Sequence, residues 1–243
     1  METIQKYQQD CFKEYKKSIG YPNSYKFLYG NPINVLVPIE TPTNKFMIVG
    51  AYPSAKFFTV NNLTDVPLYD NDSPFSNELY FDGTRVRTIP SGRELNEVIL
   101  KQIGIKREDC WITDLVKVFL FKQGHIDRYK KLGMQDIEEN RSKFKEYAFK
   151  SIPWLIREIK IANPKVVILL GSEVTTVLFG VTDEAAKKRM DGSIHELALE
   201  DLNIKCICLP HPGILMKSSP KNPWPERFRN EIVPTVKNEI LKI

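Results

Sequence analysis

The sequence predicts an α/β protein, a three-layer α/β/α arrangement in which a central, mostly parallel four-stranded sheet is covered by helices on both faces. Three observations predict it. Four short apolar runs, at 46–50, 111–118, 166–170 and 204–209, read as buried strands, since parallel strands covered on both faces are continuously hydrophobic. Helical patterns alternate with these runs from residue 46 onward, without any internal repeat. The 243 residues, 42% hydrophobic and 27% charged, can bury one full core, so a single domain over 1–243 with an amino-terminal helical extension over 1–45 is expected.

The elements follow in order. Ile4, Tyr7, Cys11, Phe12, Tyr15 and Ile19 recur at helical spacing, and Gly20 with Pro22 ends that helix. Residues 21–45 are rich in Pro, Asn and Gly and read as an irregular connection. Phe46-Met47-Ile48-Val49 is the first strand, stopped by Gly50 and Pro53. Residues 55–90 show no clear period, and an excursion of that length inside a compact domain is usually functional. Ser91-Gly92-Arg93-Glu94 fits a capping box, so a helix is expected from there, with Leu95, Val98, Ile99 and Ile103 on its buried stripe and Gly104 at its end.

The second strand, Trp111 to Val118, carries a carboxylate, Asp114, within its apolar run. A polar loop is expected over 121–135. A long amphipathic helix then runs through Phe144 and Tyr147 to Ile159, with an interruption at Pro153. After the strand at 166–170, Gly171-Ser172 opens a helix that closes at Gly180. Neither Gly-x-x-x-x-Gly-Lys-Ser/Thr nor Gly-x-Gly-x-x-Gly is present, which removes the main support for nucleoside triphosphate or dinucleotide binding. The fourth strand runs directly into Pro210-His211-Pro212-Gly213.

Composition excludes several classes. No apolar run approaches the ~18 residues of a membrane helix, and the start, Met-Glu-Thr-Ile-Gln-Lys, lacks a secretory pattern, so a cytoplasmic location and no membrane partner are expected. Lys and Arg outnumber Asp and Glu by 35 to 30, a net +5 that permits a polyanionic partner. Cys11, Cys110, Cys206 and Cys208 contain no Cys-x-x-Cys pair and suggest neither zinc nor a disulfide framework. Cys206 and Cys208, two apart on a strand, share a face and read as core. In a parallel sheet the loops after Gly50, around Asp114, after Leu170 and at His211 share one edge, where ligands of open α/β sheets bind.

Those loops carry a resemblance. Gly50-Ala51-Tyr52-Pro53-Ser54, Ser73-Pro74-Phe75, the strand 111–117, Asn163 through Gly171, and Leu209-Pro210-His211-Pro212-Gly213 resemble, in order and placement, the motif set of the uracil-DNA glycosylase superfamily, and within it the fourth and fifth families. The similarity spans residues 46–240. It implies a glycosylase that hydrolyses the N-glycosidic bond of uracil or a related deaminated base in DNA; a monomer is expected, and the departures described below leave no cofactor expected. An enzyme of this kind takes the base out of the stack into a pocket. By resemblance, Gly50, Ala51, Tyr52, Pro53 and Ser54 line that pocket and Phe75 is the stacking platform. As a structural residue, Phe75 would be a plain core or loop phenylalanine. His211 would stabilise charge on the departing base. Pro212, Gly213, Leu215, Met216, Lys217, Ser218, Ser219 and Lys221 would form the segment that enters the DNA groove, Leu215 or Met216 acting as wedge and the lysines and serines pairing with phosphates.

The chain departs from the family at three places. Ala51 and Tyr52 stand where the first motif often has a water-activating carboxylate or amide. Asp65, Asp70 and Asp72 are other carboxylates that could serve. Asp114 stands where a base-reading asparagine is usual, and an ionised carboxylate accepts but cannot donate. Val118 occupies the place of a cluster-ligating cysteine and the amino-terminal cysteine pair is missing, so no iron-sulfur cluster or other metal is expected. Two other functions fit the same residues: a nucleic-acid-binding protein of this fold with weak or no catalysis, and a nucleoside or nucleotide hydrolase.

Overall fold

A computed structural model describes residues 2–217 and 219–242. Its centre is a five-stranded sheet. The strands are β1 (Phe46–Gly50), β6 (Cys110–Asp114), β7 (Val166–Leu170), β8 (Ile194–Leu199) and β9 (Leu202–Leu209), in the order β6-β1-β7-β9-β8. The first four in that order are parallel and coincide with the four apolar runs of the sequence. The fifth adds an antiparallel edge and makes the sheet mixed. A tight turn at Glu200, in left-handed backbone with φ 49°, folds β8 onto β9 so that Leu199 faces Leu202. Along β8, Leu197 and Leu199 are buried and Glu196 and Ala198 exposed. This alternation suits an edge strand with one face in water, and it differs from the continuous runs that mark the buried strands.

Successive residues of a strand point to opposite faces, so the sheet feeds two cores. Met47, Val49, Trp111, Val167 and Leu169 pack on one face with the helices Ile4–Ile19 and Phe144–Ala162. Ile48, Cys110, Ile112, Ile168 and Ile207 pack on the other with Leu95 and Ile99 of the helix at 90–103 and Phe228 and Ile232 of the helix at 224–240. That is the three-layer architecture expected from the sequence. Each fully buried Leu, Ile, Val or Phe contributes about 1.5–3 kcal/mol of transfer free energy.

Several local expectations are corrected. The strand expected over 111–118 ends at Asp114, where Leu115 and Val116 donate instead to the carbonyls of Gly50 (2.8 Å) and Ala51 (2.9 Å) and the chain curls over the sheet edge. The excursion at 55–90 holds two hairpins, β2 (Ala55–Val60) with β3 (Leu63–Asp70), and β4 (Leu79–Phe81) with β5 (Val86–Thr88). The capping box at Ser91 does not form. The helix starts one residue earlier, at Pro90, whose preset φ and missing N–H suit a first helical position. The polar loop expected over 121–135 contains the helix Gln123–Lys131, whose short apolar face, Ile126 and Tyr129, is masked in the sequence by six polar neighbours and a glycine. Pro153 does not interrupt its helix, which runs unbroken from Phe144 to Ala162. Tyr147, Ser151, Trp154 and Leu155, buried on both sides of the proline, hold the two halves in register.

Candidate active site

The carboxyl ends of β1, β6, β7 and β9 converge on a cavity of about 320 Å³. Ala51, Tyr52, Pro53 and Ser54 follow β1, Asp114 closes β6, and His211 follows β9, and all of these line it. Phe75 reaches in from the loop after the first hairpin. Parallel pairing places Gly50 level with Asp114 in the register, which is why residues 64 positions apart in sequence meet.

Gly50 makes that meeting possible. A Cβ there would stand 2.2 Å from Asp114 Oδ1 and 2.5 Å from the Phe75 ring, so the carboxyl and the phenyl close in over a bare backbone position. Phe75 is held in left-handed backbone, φ 50°, and its carbonyl accepts from Arg107 Nη2 at 3.0 Å. Only Gly92 lets the following helix press against this loop, since a Cβ there would lie 2.0 Å from the Ser76 carbonyl. The ring belongs to the core beside Ile48 and Leu95 and also faces the cavity.

Asp114 is fully enclosed. Its Oδ1 has no hydrogen-bond partner among the described residues. Burial pushes its carboxyl up to about 7, an effect reduced by the nearby Lys117 ammonium and reinforced by Glu158. An orphaned buried oxygen is costly, and this one belongs to a residue that lines the cavity. Held neutral, the same carboxyl gains an O–H donor that an ionised aspartate lacks.

His211 caps the short helix Pro212–Leu215, its Nδ1 accepting from the Gly213 amide at 3.0 Å. A backbone N–H can only donate, so Nδ1 is unprotonated and Nε2 carries the hydrogen. The ring keeps accessible surface, yet the loops crowd it, and that desolvation together with Arg141 and Lys217 depresses its pKa. The result is a neutral imidazole whose Nε2–H donor has no partner among the described residues.

The segment after His211 separates the two wedge candidates. Leu215 is buried, whereas Met216 is 52% exposed and forms the apolar tip. Asn222, which sequence reasoning passed over, shapes this loop by donating to the carbonyls of Ile214 (2.8 Å) and Lys217 (2.9 Å). Lys217, Ser219 and Lys221 are exposed, Ser218 lies outside the described residues, and Pro212 and Gly213 form the first turn of the helix.

The alternative carboxylates are engaged elsewhere. Asp65 pairs with Arg87 at 3.3 Å and Asp72 with Lys56 at 2.9 Å, while Asp70 accepts from the Asn34 amide at 2.6 Å. None of the three lines the cavity. Glu94 and Glu173 do; the sequence offered Glu94 only as a capping residue and did not single out Glu173. Burial raises the Glu94 pKa, and a Cβ built on Gly213 would lie 3.8 Å from its Oε2 and 3.2 Å from His211 Nδ1, which places the carboxyl beside the histidine loop. His125 and Arg141, from polar stretches without a motif, also face the cavity. Tyr52 forms a wall between Phe144, 5.6 Å away, and the Arg141 guanidinium, 5.1 Å above its ring.

No group of three or more His, Cys, Asp or Glu residues among those described is placed to hold a metal ion. Cys11, Cys110, Cys206 and Cys208 are all buried, on one helix and two strands, and do not form the donor set of a four-cysteine cluster. Among the described residues no helix is long and apolar enough to cross a membrane.

Fold and cavity together define an α/β/α protein with a half-open, partly aromatic pocket at the carboxyl edge of a mixed sheet, the usual ligand position of open α/β folds. The model of the uracil DNA glycosylase superfamily matches residues 38–233, and the chain belongs to that superfamily. A search of curated proteins finds none that matches the chain.

Proposed function

We propose that the protein excises uracil, or a related deaminated base, from DNA by hydrolysing the N-glycosidic bond. The observation that carries this reading is a trio in one cavity: the unpartnered Asp114 carboxyl and the Phe75 ring, both against Gly50, and the His211 imidazole. A flipped pyrimidine would stack on Phe75. Its polar edge would meet Asp114, which as a neutral acid donates through its hydroxyl and accepts through its carbonyl oxygen, matching O4 and N3–H of uracil.

Breaking the glycosidic bond leaves negative charge on the base. His211 Nε2–H would donate to the oxygen on which that charge develops, the kind of preorganised donor that stabilises a transition state. Glu94 is the carboxyl best placed to orient or deprotonate the attacking water, in the role that Ala51 and Tyr52 cannot fill. The water oxygen bonds to C1′ of the sugar as the C1′–N bond breaks, and the proton it loses passes to the carboxylate. Met216, with Lys217 and Lys221 beside it, would occupy the stack and neighbouring phosphates.

The test is incubation with an oligonucleotide carrying one uracil, reading released free base and an alkali-labile abasic site. Release of base in proportion to strand cleavage supports excision. The lack of any carboxylate or amide at Ala51 and Tyr52 favours a second reading, a DNA-binding protein of this fold without turnover. Binding with no released base would establish that one.

A further inference from the structure

The cavity is larger than a base needs. About 320 Å³ is available, whereas roughly 150 Å³ suffices for a benzene ring. Three residues that line it, Lys122, His125 and Arg141, are not used by the excision chemistry.

These three are brought together by the backbone. The Phe121 carbonyl accepts from both Asn140 N and Arg141 N, each at 3.1 Å, and the buried Asn140 side chain accepts from Phe121 N at 2.7 Å. The residues that continue from this clamp, Lys122 and Arg141, therefore stand side by side. Lys122 is also the residue at which the helix Gln123–Lys131 begins, so the partial positive charge of that helix end is added to theirs.

His125 sits in the first turn of the helix and is 5% exposed. Its Nδ1 accepts from Lys122 N at 3.4 Å, which leaves the hydrogen on Nε2, and that N–H has no partner among the described residues although the ring lines the cavity. Phe119 stacks on the imidazole, 5.4 Å between centroids and 22° between planes, and fixes its orientation. Burial, with Lys122, Arg128 and Arg141 nearby, pushes the imidazole down to about 3, so it remains a neutral donor. Neither Lys122 nor Arg141 has a carboxylate partner among the described residues, whereas Arg128 alongside is spent on the carbonyls of Thr64 and Gly124. Glu173, which lines the same cavity, makes no ion pair among the described residues either.

The geometry points to a phosphate-binding corner formed by Lys122, His125 Nε2–H and Arg141 at the start of the helix Gln123–Lys131, which holds a phosphate of the nucleotide whose base lies over Phe75. Two cations, one neutral buried donor and a helix end all suit a tetrahedral oxyanion, and a planar base offers nothing that would use them together. The assignment rests on the proposed base pocket for its second half only. The corner itself stands without it. The phosphate belongs either to the DNA backbone beside the extruded nucleotide or to a free nucleotide.

The experiment uses the whole protein with 15N-labelled histidine and three probes: inorganic phosphate, 2′-deoxyuridine and 5′-dUMP. Inorganic phosphate and 5′-dUMP are expected to shift the His125 imidazole signals, and 5′-dUMP to bind about tenfold or more tightly than 2′-deoxyuridine. Lys122→Gln and Arg141→Gln, both at exposed positions, should bring that ratio toward one while 2′-deoxyuridine binding persists. A single neutral methylphosphonate on either side of uracil in an oligonucleotide then identifies the source. If one of the two weakens binding as much as Arg141→Gln does, and adds nothing in that variant, the phosphate is a backbone diester. Preference for 5′-dUMP without any methylphosphonate effect assigns the corner to free nucleotides. His125 signals unmoved by inorganic phosphate and 5′-dUMP would overturn the proposal, as would variants that lose 2′-deoxyuridine and 5′-dUMP equally. Absence of base release leaves these readouts intact, so failure of the excision reading is seen separately.

Discussion

Lys117 Nζ lies 2.5 Å from Glu158 Oε1, and both side chains are fully buried at the carboxyl end of the strand that carries Asp114. The pair is embedded in a satisfied network. The ammonium also donates to Thr113 Oγ1 at 2.7 Å and to the Asp114 carbonyl at 3.0 Å, and Glu158 accepts from Trp111 Nε1 at 3.0 Å and from the Tyr7 hydroxyl. It ties the amino-terminal helix and the helix Phe144–Ala162 to the edge of the cavity.

Removing one partner would strand a charge. Lys117→Met is expected to cost about 3–5 kcal/mol of stability in urea unfolding, while Lys117→Met with Glu158→Leu should recover much of that loss, because a buried pair contributes less than an orphaned charge costs. A double variant no more stable than the single one would show that the network, not the pair, carries the energy.

Asp114 links stability and activity to pH. Its carboxyl is pushed up to about 7, against ~3.9 for an unfolded aspartate, so between these values the native state binds more protons and stability falls as pH rises through the window. Asp70, raised by burial to about 7 as well, contributes in the same direction, and the Asp114 share is the difference between wild type and Asp114→Asn. Uracil excision should fall above about pH 7 in the wild type. Asp114→Asn, with an amide that donates at every pH, should be more active on uracil and lack this limb. Identical profiles on uracil, hypoxanthine, xanthine and cytosine substrates would remove Asp114 from base reading.

His211→Ala should slow base release ~100-fold or more while DNA affinity stays nearly unchanged, as expected for a donor that acts in the transition state. Single-turnover kinetics beside a binding isotherm separate the two. A loss in affinity equal to the loss in rate would make it a ground-state contact.

Glu94→Gln should lower kcat on the order of 100-fold with little change in KM, the effect of losing a general base, and Glu173→Gln far less. Equal effects of the two would mean that the cavity's overall charge, rather than a positioned base, is what matters.

Gly50→Ala should abolish base capture with a smaller effect on folding, because the added methyl displaces the Asp114 carboxyl and the Phe75 ring from the cavity. Phe75→Ala should weaken binding of a flipped base by ~1–3 kcal/mol. A thermal melt with a base-binding titration distinguishes the two variants from merely unfolded protein.

By itself the sequence determined the four parallel strands, the helices beginning at Ile4 and Ser172, and the meeting of the loops at Gly50, Asp114 and His211, because continuous apolar runs and abrupt Gly and Pro stops are local signals. The antiparallel edge strand Ile194–Leu199, for which the sequence carried no assignment, and the helix Gln123–Lys131, which read as loop, were decided by tertiary packing, since each buries only a narrow stripe among polar residues. The same holds for the site. Motif order reached His211 and Phe75, but Glu94, His125 and Arg141 enter the cavity through contacts between distant segments, such as the clamp of Asn140 on Phe121. The raised pKa of Asp114 is also a tertiary property: its chemistry is that of any aspartate until the fold removes water from around it.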